Sequence, residues 1–263
     1  MSRAAIGQGA PIRLSTTEFE ACWDVLGLGE LPHVLDLPSP GGTVEERRRL
    51  LEEVRSGLRA RGLADGQGMH PDLAGLLATL CRYSWAVDAW LALDRPVRAL
   101  GAQAGRVGAL AVLDDAECSV HVRSVPSGAV LGEVVACLPE LPPPSCPVDA
   151  VRVPADVLDA ALAAAGGADP LALADELLRL GERPATAHAV ARLAEGTGWQ
   201  GQFGVTVTDG FGRRRRAAEV VGFHDTRAAR VMHLRRNGWV TLTRAGHDHL
   251  VRALRELLDR TGQ

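Results

Sequence analysis

The most regular hydrophobic pattern in the chain spans residues 202–243 and predicts an antiparallel β-sheet. In its first run, apolar Phe203 and Val205 alternate with polar residues, which is the period-two pattern of a strand with one buried face. The dipeptide Asn237-Gly238 tolerates the positive φ angles of a tight hairpin. We therefore predict four strands, over residues 202–208, 217–224, 230–235 and 238–243, followed by a helix over 245–260.

The first half of the chain changes from helical to strand periodicity. Capping boxes at Ser15 and Thr43 each predict the start of a helix, and Pro71 predicts the first turn of a third. The short stretch 31–38 contains two prolines, so at most an edge strand fits over residues 33–37. Strands are then predicted over 97–100, 107–113 and 118–124, and Ser127 precedes a further helix.

The second half repeats this order. A short strand over 148–153 and helices over 154–165, 170–180 and 185–195 precede the sheet and its final helix. The repetition predicts an α+β fold with a quasi-twofold pair of similar halves, a central antiparallel sheet and flanking helical bundles. The alternative is that α+β proteins show such an order by chance. Five prolines within 139–147 predict a connector between the halves 1–138 and 148–263, which we expect to share one core.

Composition places the chain among soluble globular proteins. It has 263 residues, 46% of them hydrophobic, and a formal net charge of −3, which gives no general attraction to nucleic acid or anionic membrane. No run approaches the roughly 20 apolar residues of a membrane helix, and the start lacks the pattern of a signal peptide. A cytoplasmic location is predicted.

The reactive side chains do not form a recognisable catalytic or metal-binding motif. The five cysteines are odd in number and widely spaced, which favours reduced, mostly buried thiols; they are Cys22, Cys81, Cys118, Cys137 and Cys146. His247 and His249 lie two apart on a predicted helix, and Cys118 and His121 three apart on a predicted strand, so neither pair can readily hold one ion. The sequence supports no enzyme, no metal and no cofactor.

Four consecutive arginines, Arg213 to Arg216, are the strongest local charge feature. In isolation they would indicate phosphate binding. They adjoin a predicted turn, have no aromatic residues between them and belong to a slightly acidic chain. A solvated hairpin or a site for an acidic protein surface is therefore favoured over nucleic acid.

Three stretches resemble the EspG family, the cytosolic proteins associated with ESX, or type VII, secretion in actinobacteria. They are residues 18–29 with Leu31-Pro32, residues 45–47 with 58–63, and residues 201–205 with 213–216, 225–230 and Trp239-Val240. The resemblance covers nearly the whole chain. It implies a quasi-twofold α+β fold and a non-enzymatic role: binding helical secretion substrates, which are PE-PPE pairs in mycobacteria, and passing them to the export machine. The turns at 104–106 and 114–117 are short, whereas some members use a long loop in this sheet, so the substrate, which could instead be WXG-like, stays open.

The function that follows is a substrate-binding chaperone or adaptor; the alternative is a nucleic-acid-associated regulator that uses Arg213 to Arg216. We predict partner contact in the second half, on the sheet and the neighbouring helical groove, because arginine and aromatic residues are enriched at interface hot spots. The predicted contact residues are Gln202, Thr206, Thr208, Phe211, Arg213, Arg215, Arg235 and Trp239. The alternative is that Phe203 and Trp239 are core residues and the arginines solvate a turn. The oligomeric state stays open.

Overall fold

The computed structural model describes residues 10–140, 150–166, 169–194, 198–226 and 229–263. They divide into two compact units. The first comprises residues up to Ala89, Arg95–Val134 and Val207–Arg214, and the second comprises Trp90–Asp94, Val135–Thr206 and Arg215–Gln263. Most of the predicted connector and Cys146 lie outside the described residues, so the connector and the sharing of one core stay predictions.

The first half of the chain is built from short helices and a meander of strands. Its elements are β1 (Ile12–Ser15), α1 (Thr16–Val25), a 3-10 turn (His33–Leu35), α2 (Val44–Ala60), β2 (Ala64–Asp65), β3 (Gly68–Met69), α3 (Pro71–Cys81), β4 (Trp85–Ala92), β5 (Val97–Ala104), β6 (Val107–Asp114), β7 (Ser119–Val125) and α4 (Val130–Val135). The sheet order is β1-β7-β6-β5-β4. Both predicted capping boxes are confirmed: Ser15 Oγ accepts from the Glu18 amide at 3.1 Å, and Thr43 Oγ1 from the Glu46 amide at 3.2 Å.

The second half repeats that arrangement. Its elements are β8 (Val151–Pro154), α5 (Ala155–Ala165), α6 (Pro170–Arg179), α7 (Pro184–Ala194), β9 (Gln200–Thr208), β10 (Arg214–Arg216), β11 (Val221–Asp225), β12 (Arg230–Arg236), β13 (Trp239–Arg244) and α8 (His247–Gly262). The sheet order is β8-β13-β12-β11-β9, with β10 paired to β9. In each half a four-residue strand leads directly into a helix and pairs with the last strand of the meander. The fold is α+β, with antiparallel pairing along both meanders.

The sheet of the second unit has helices on both faces. Strand register places Phe203, Val221 and Phe223 on one face, where the two phenyl rings lie 5.9 Å apart, and α8 contacts β11. On the other face, Val231, Val240 and Leu242 pack with the buried residues of α5, α6 and α7. The alternation predicted from the sequence is thus confirmed, and it leaves polar positions such as Gln202 on the face towards α5–α7.

Several local predictions were wrong. Residues 33–35 form a 3-10 turn rather than an edge strand, because Pro32 starts a turn whose Leu35 amide bonds to the Pro32 carbonyl at 2.7 Å. The strand predicted over 217–224 begins at Val221. Next to the predicted turn, Arg214–Arg216 form a further short strand, β10, which was not predicted. Cys118 is exposed with a φ of 46°, and Cys81 and Cys137 are half-buried, so of the described cysteines Cys22 alone is fully buried.

Candidate functional site

A groove of about 480 Å³ opens in the second unit between helices α5–α7 and the sheet. Most of its wall is aliphatic: Leu158, Leu162, Leu173, Val190, Ala194, Val240 and Leu242. Its polar lining residues are Asp159, Gln200, His224, His233 and Arg235. An apolar cavity with a few convergent polar groups is the usual form of a binding site.

Helix α5 supplies one wall of the groove. Leu158 and Leu162 lie four residues apart, so both project from the same side of the helix. Leu158 is buried, whereas Leu162 is 41% exposed although it is a large aliphatic residue. The helix is fixed to the sheet at its first turn, where the Ala155 amide donates to the Gly238 carbonyl at 2.8 Å. The exposed apolar edge is therefore held in a defined position.

Two histidines from neighbouring strands line the groove next to this wall. Register pairs Gly222 of β11 with His233 of β12, so His224 projects from the same face as His233. The two imidazole rings lie 5.7 Å apart between centroids and are tilted by 34°. A Cβ on Gly222 would fall 2.1 Å from the His233 ring, so the absence of a side chain at Gly222 lets that ring lie over the strand.

Burial, together with the neighbouring His224 and Arg235, lowers the pKa of His233 to about 4. The charged imidazole would lose much of its hydration in this groove, which is why the neutral form is favoured. At neutral pH the groove therefore holds a neutral His233 ring.

We expect the free energy of unfolding to fall as the pH is lowered from 6.5 to 4. The unfolded chain takes up a proton on His233 near the ordinary pKa of 6.5, whereas the folded chain does so only near pH 4. The neutral His233 ring therefore contributes up to about 3 kcal/mol to the free energy of unfolding. This contribution is present in full above pH 6.5 and is lost as the pH falls to 4. Urea unfolding across this interval should show a smaller loss in His233→Gln than in the wild type; equal losses would contradict the neutral ring.

An ion pair crosses from helix α5 to strand β12 at the rim of the groove. Arg235 Nη1 donates to Asp159 Oδ2 at 2.8 Å, and a second bond joins Nη2 to Oδ1. The Arg235 guanidinium lowers the pKa of Asp159 through these hydrogen bonds. Both side chains are more than half exposed, so the pair contributes little to stability and its charges remain accessible at the rim.

Phe211 and Arg213, two of the predicted contact residues, lie together on a separate hairpin turn in the first unit. Phe211 is 87% exposed, and the Arg213 guanidinium lies 5.3 Å from the centre of its ring. Asp209 holds the turn: its Oδ1 accepts from the Phe211 and Arg213 amides at 2.9 and 2.8 Å, and its Oδ2 from Arg213 Nε at 2.8 Å. The turn thus presents an exposed aromatic ring on an ordered backbone.

The other three arginines of the run contact their own chain. Arg214 donates to the Cys81 carbonyl and lies 4.8 Å from the centre of the Tyr83 ring. Arg215 donates to the carbonyl of Thr261, and the Arg216 guanidinium lies close against Gly204. These contacts join β10 to its surroundings. The side chains are therefore not a free cluster of cations of the kind that binds phosphate.

Trp239 is placed differently from the prediction. It is 42% exposed, so it is not a core residue, and it lies on the face opposite the groove because it alternates with Val240. The Arg152 guanidinium lies 5.1 Å from the centre of the indole. Trp239 and Arg235 are therefore not brought together in one site.

The predicted residues of β9 share a face with the histidines but do not line the groove itself. Register pairs Gln202 with Gly222, and Thr206 and Thr208 follow on the same side of β9 by alternation. Thr208 Oγ1 is buried and has no hydrogen-bond partner among the described residues. Sequence reasoning missed four main groove residues: Leu158, Leu162, His224 and His233. In the sequence they look like ordinary residues of an amphipathic helix or a strand, so no local signal marks them.

The remaining polar clusters do not add a second site. Within the described residues, no three histidine, cysteine or acidic side chains are close enough to hold a metal ion. Over the same residues, none of the helices has the length and apolarity needed to cross a membrane. His249, one of the two histidines in the 247–249 group, makes a local contact. Its Nδ1 accepts a hydrogen bond from the Gly246 amide at the start of α8.

The fold and the groove together define an α+β protein with an apolar cleft and a polar rim, the composition of a protein-binding site. Residues 15–256 match the model of the EspG family, and the chain belongs to that family. A search of curated proteins finds no match.

Solved structures include chains with the same fold. One belongs to the structure of the Mycobacterium tuberculosis type VII secretion system chaperone EspG5 in complex with the PE25-PPE41 dimer. It is 15% identical in sequence, the alignment covers 96% of this chain and 97% of that one, and the TM-score is 0.74. At this identity the likeness establishes the fold.

Proposed function

We propose that this protein is a cytosolic chaperone that binds a helical type VII secretion substrate, a PE-PPE-like pair, and keeps it soluble for export. It acts by binding and not by catalysis. The observation that carries the proposal is the apolar groove of the second unit. The chain belongs to the EspG family, and a structural neighbour is described as a type VII secretion system chaperone in complex with a PE25-PPE41 dimer.

The groove is suited to the end of an amphipathic helix. Its aliphatic wall can cover the apolar side chains that would otherwise make a free substrate aggregate, and its polar rim can satisfy the neighbouring backbone groups. Leu162, half-exposed at this wall, has apolar surface available for such a partner. Arg235 is the predicted contact residue at the rim, and it can pair with an acidic group of the substrate if it leaves Asp159.

The hairpin turn with Phe211 and Arg213 is proposed as a separate contact. An exposed aromatic ring that is already ordered loses little conformational freedom on binding, which favours its use as an anchor. The other predicted contact residues neither line the groove nor lie on that turn, so they stay proposed contacts on weaker grounds. They are Gln202, Thr206, Thr208, Arg215 and Trp239.

Co-expression tests this function. Each candidate PE-PPE-like pair from the source genome is expressed alone and together with this protein, and soluble material is separated by gel filtration at low and high salt. We expect one pair to become soluble as a complex that persists at high salt, because an apolar interface responds weakly to ionic strength. If no pair is retained, the proposal is wrong; a complex with nucleic acid that dissociates steeply with salt would support the alternative regulator.

A further inference from the structure

One end of the sheet in the first unit is built from three segments that lie far apart in the chain. The Thr208 amide donates to the Ser84 carbonyl at 2.8 Å, and the Ser84 amide donates to the Gln103 carbonyl at 2.7 Å. Ala104 then pairs with Val107 across a two-residue turn. The hairpin turn after β9 and the turn between β5 and β6 therefore lie at the same end, three strand spacings or about 14 Å apart. We call this surface the basic end, and it comprises residues 82–84, 104–107 and 207–214.

The basic end carries an excess of positive charge. Its segments contain four arginines but a single acidic residue, Asp209. Arg82 and Arg106 are exposed, and within the described part of the chain neither side chain forms an ion pair or a hydrogen bond. Arg213 donates through Nε to Asp209, while its two Nη groups have no acceptor among the same residues. Three arginines therefore have N–H donors available to a partner.

Asp209 does not cancel this charge for a partner. Its carboxylate oxygens already accept three hydrogen bonds from the turn, two from the Phe211 and Arg213 amides and one from Arg213 Nε. These bonds fix the direction of the Arg213 guanidinium, whose side chain is still 77% exposed. A guanidinium held through Nε presents its Nη fork to a carboxylate in the geometry that favours a bidentate pair.

Two large apolar side chains are exposed beside these arginines. Phe211 is 87% exposed on the turn, and Val107 is 54% exposed at the start of β6. The Arg213 guanidinium lies 5.3 Å from the centre of the Phe211 ring, so a group that packs on this ring also lies next to a cation. Aromatic residues and arginine are the types enriched at protein interfaces.

We propose that the basic end binds an acidic protein segment in which carboxylates flank an apolar side chain. The apolar side chain packs on Phe211, and the carboxylates pair with Arg213 and with Arg82 or Arg106. Four arginines on a slightly acidic chain are a narrower basic face than nucleic acid binding requires, which favours a protein partner. The inference builds on the contact proposed for the hairpin turn and adds the chemistry of its partner. It does not depend on what the groove binds, because the two surfaces share no residue.

A synthetic peptide tests this on the full chain without any secretion substrate. In the labelled probe, pairs of glutamates alternate with single leucines, and binding is followed by fluorescence anisotropy. Two matched peptides are compared with it: one has glutamine in place of every glutamate, and the other has alanine in place of every leucine. We expect the probe to bind about tenfold more tightly than either matched peptide, because each of these lacks one part of the interaction.

Variants locate the binding on the basic end. Phe211→Ser and Arg213→Gln should each weaken binding of the probe by about five-fold or more, because they remove the apolar anchor and the carboxylate partner. Both side chains are largely exposed, and thermal unfolding checks that the fold is retained. The matched control is Arg255→Gln, which removes the same charge from an exposed position on α8 and should leave the affinity within about two-fold of the wild type.

Four results would overturn the inference. They are no binding of the probe, equal binding of the glutamine peptide, losses in Phe211→Ser and Arg213→Gln no larger than in Arg255→Gln, and tighter binding of single-stranded DNA or phosphatidylserine vesicles through the same two residues. The last result would assign the surface to phosphate groups. None of them bears on the proposed chaperone function, because capture of a PE-PPE-like pair is measured separately.

Discussion

Replacing Asp225 with alanine should lower the free energy of unfolding by about 3 to 5 kcal/mol, because it leaves a buried guanidinium without its counter-charge. Arg230 Nε and Nη2 donate to the two carboxylate oxygens of Asp225 at 2.7 and 2.8 Å, and their side chains are only 6% and 5% exposed. Arg230 also donates to the Pro139 carbonyl at 3.2 Å and lies over the Phe223 ring. Urea unfolding measures the loss.

Two further variants separate the charge effect from packing. Asp159→Ala removes a carboxylate from an exposed ion pair, so it should change stability by less than about 1 kcal/mol. Asp225→Leu combined with Arg230→Met removes both buried charges and should recover most of the loss, because apolar residues can replace a buried ion pair. If the double variant is no more stable than Asp225→Ala, the uncompensated charge is not the cause.

Replacing Leu162 with arginine should weaken substrate binding by about 2 kcal/mol or more, the size of a hot-spot effect, and leave folding intact. The leucine is 41% exposed and lines the groove, so the substitution places a charge that an apolar partner would have to desolvate. Binding to the substrate pair captured by co-expression is measured by calorimetry, and folding by thermal unfolding.

Leu171→Arg is the matched control for this prediction. Leu171 is 78% exposed on the neighbouring helix α6 and does not line the groove. The same change in charge and size should therefore leave binding within about two-fold of the wild type, as expected for a residue outside an interface. Equal losses in the two variants would indicate a general charge effect instead of a contact in the groove.

Local signals in the sequence predicted much of the secondary structure. Asn237 and Gly238 form the hairpin between β12 and β13 with φ angles of 49° and 75°, as the dipeptide indicates. The helices of the second half follow their proline and glycine boundaries, because these residues act on the backbone at their own position. Each such signal depends on a few adjacent residues.

Elements that depend on distant partners were missed. β4 contains Asp88, a buried polar residue that interrupts an otherwise apolar run, so no alternation identifies it as a strand. β1 is four residues long and is defined by its pairing with β7, more than a hundred residues away. β10 consists of three exposed arginines whose composition predicts a solvated turn, and its pairing with β9 makes it a strand.

The groove could not be predicted residue by residue for the same reason. Leu158 and His233 line one cavity although 75 positions separate them in the chain, and their proximity depends on helix α5 packing over the sheet. The predicted contact surface in the second half includes Arg235, which lines the groove, and that surface stays a prediction. The prediction also grouped Arg235 with Trp239, which faces the other way because the hairpin register sets the sides of the sheet.

The most direct test of the central claim is hydrogen exchange on the free protein and on its complex with the captured substrate pair. We predict slower exchange on binding in α5 (Ala155–Ala165) and in β12 (Arg230–Arg236), which contribute residues to the groove, and unchanged exchange in α2 (Val44–Ala60). A complex that forms with no change in exchange at α5 and β12 would contradict the claim that the groove holds the substrate.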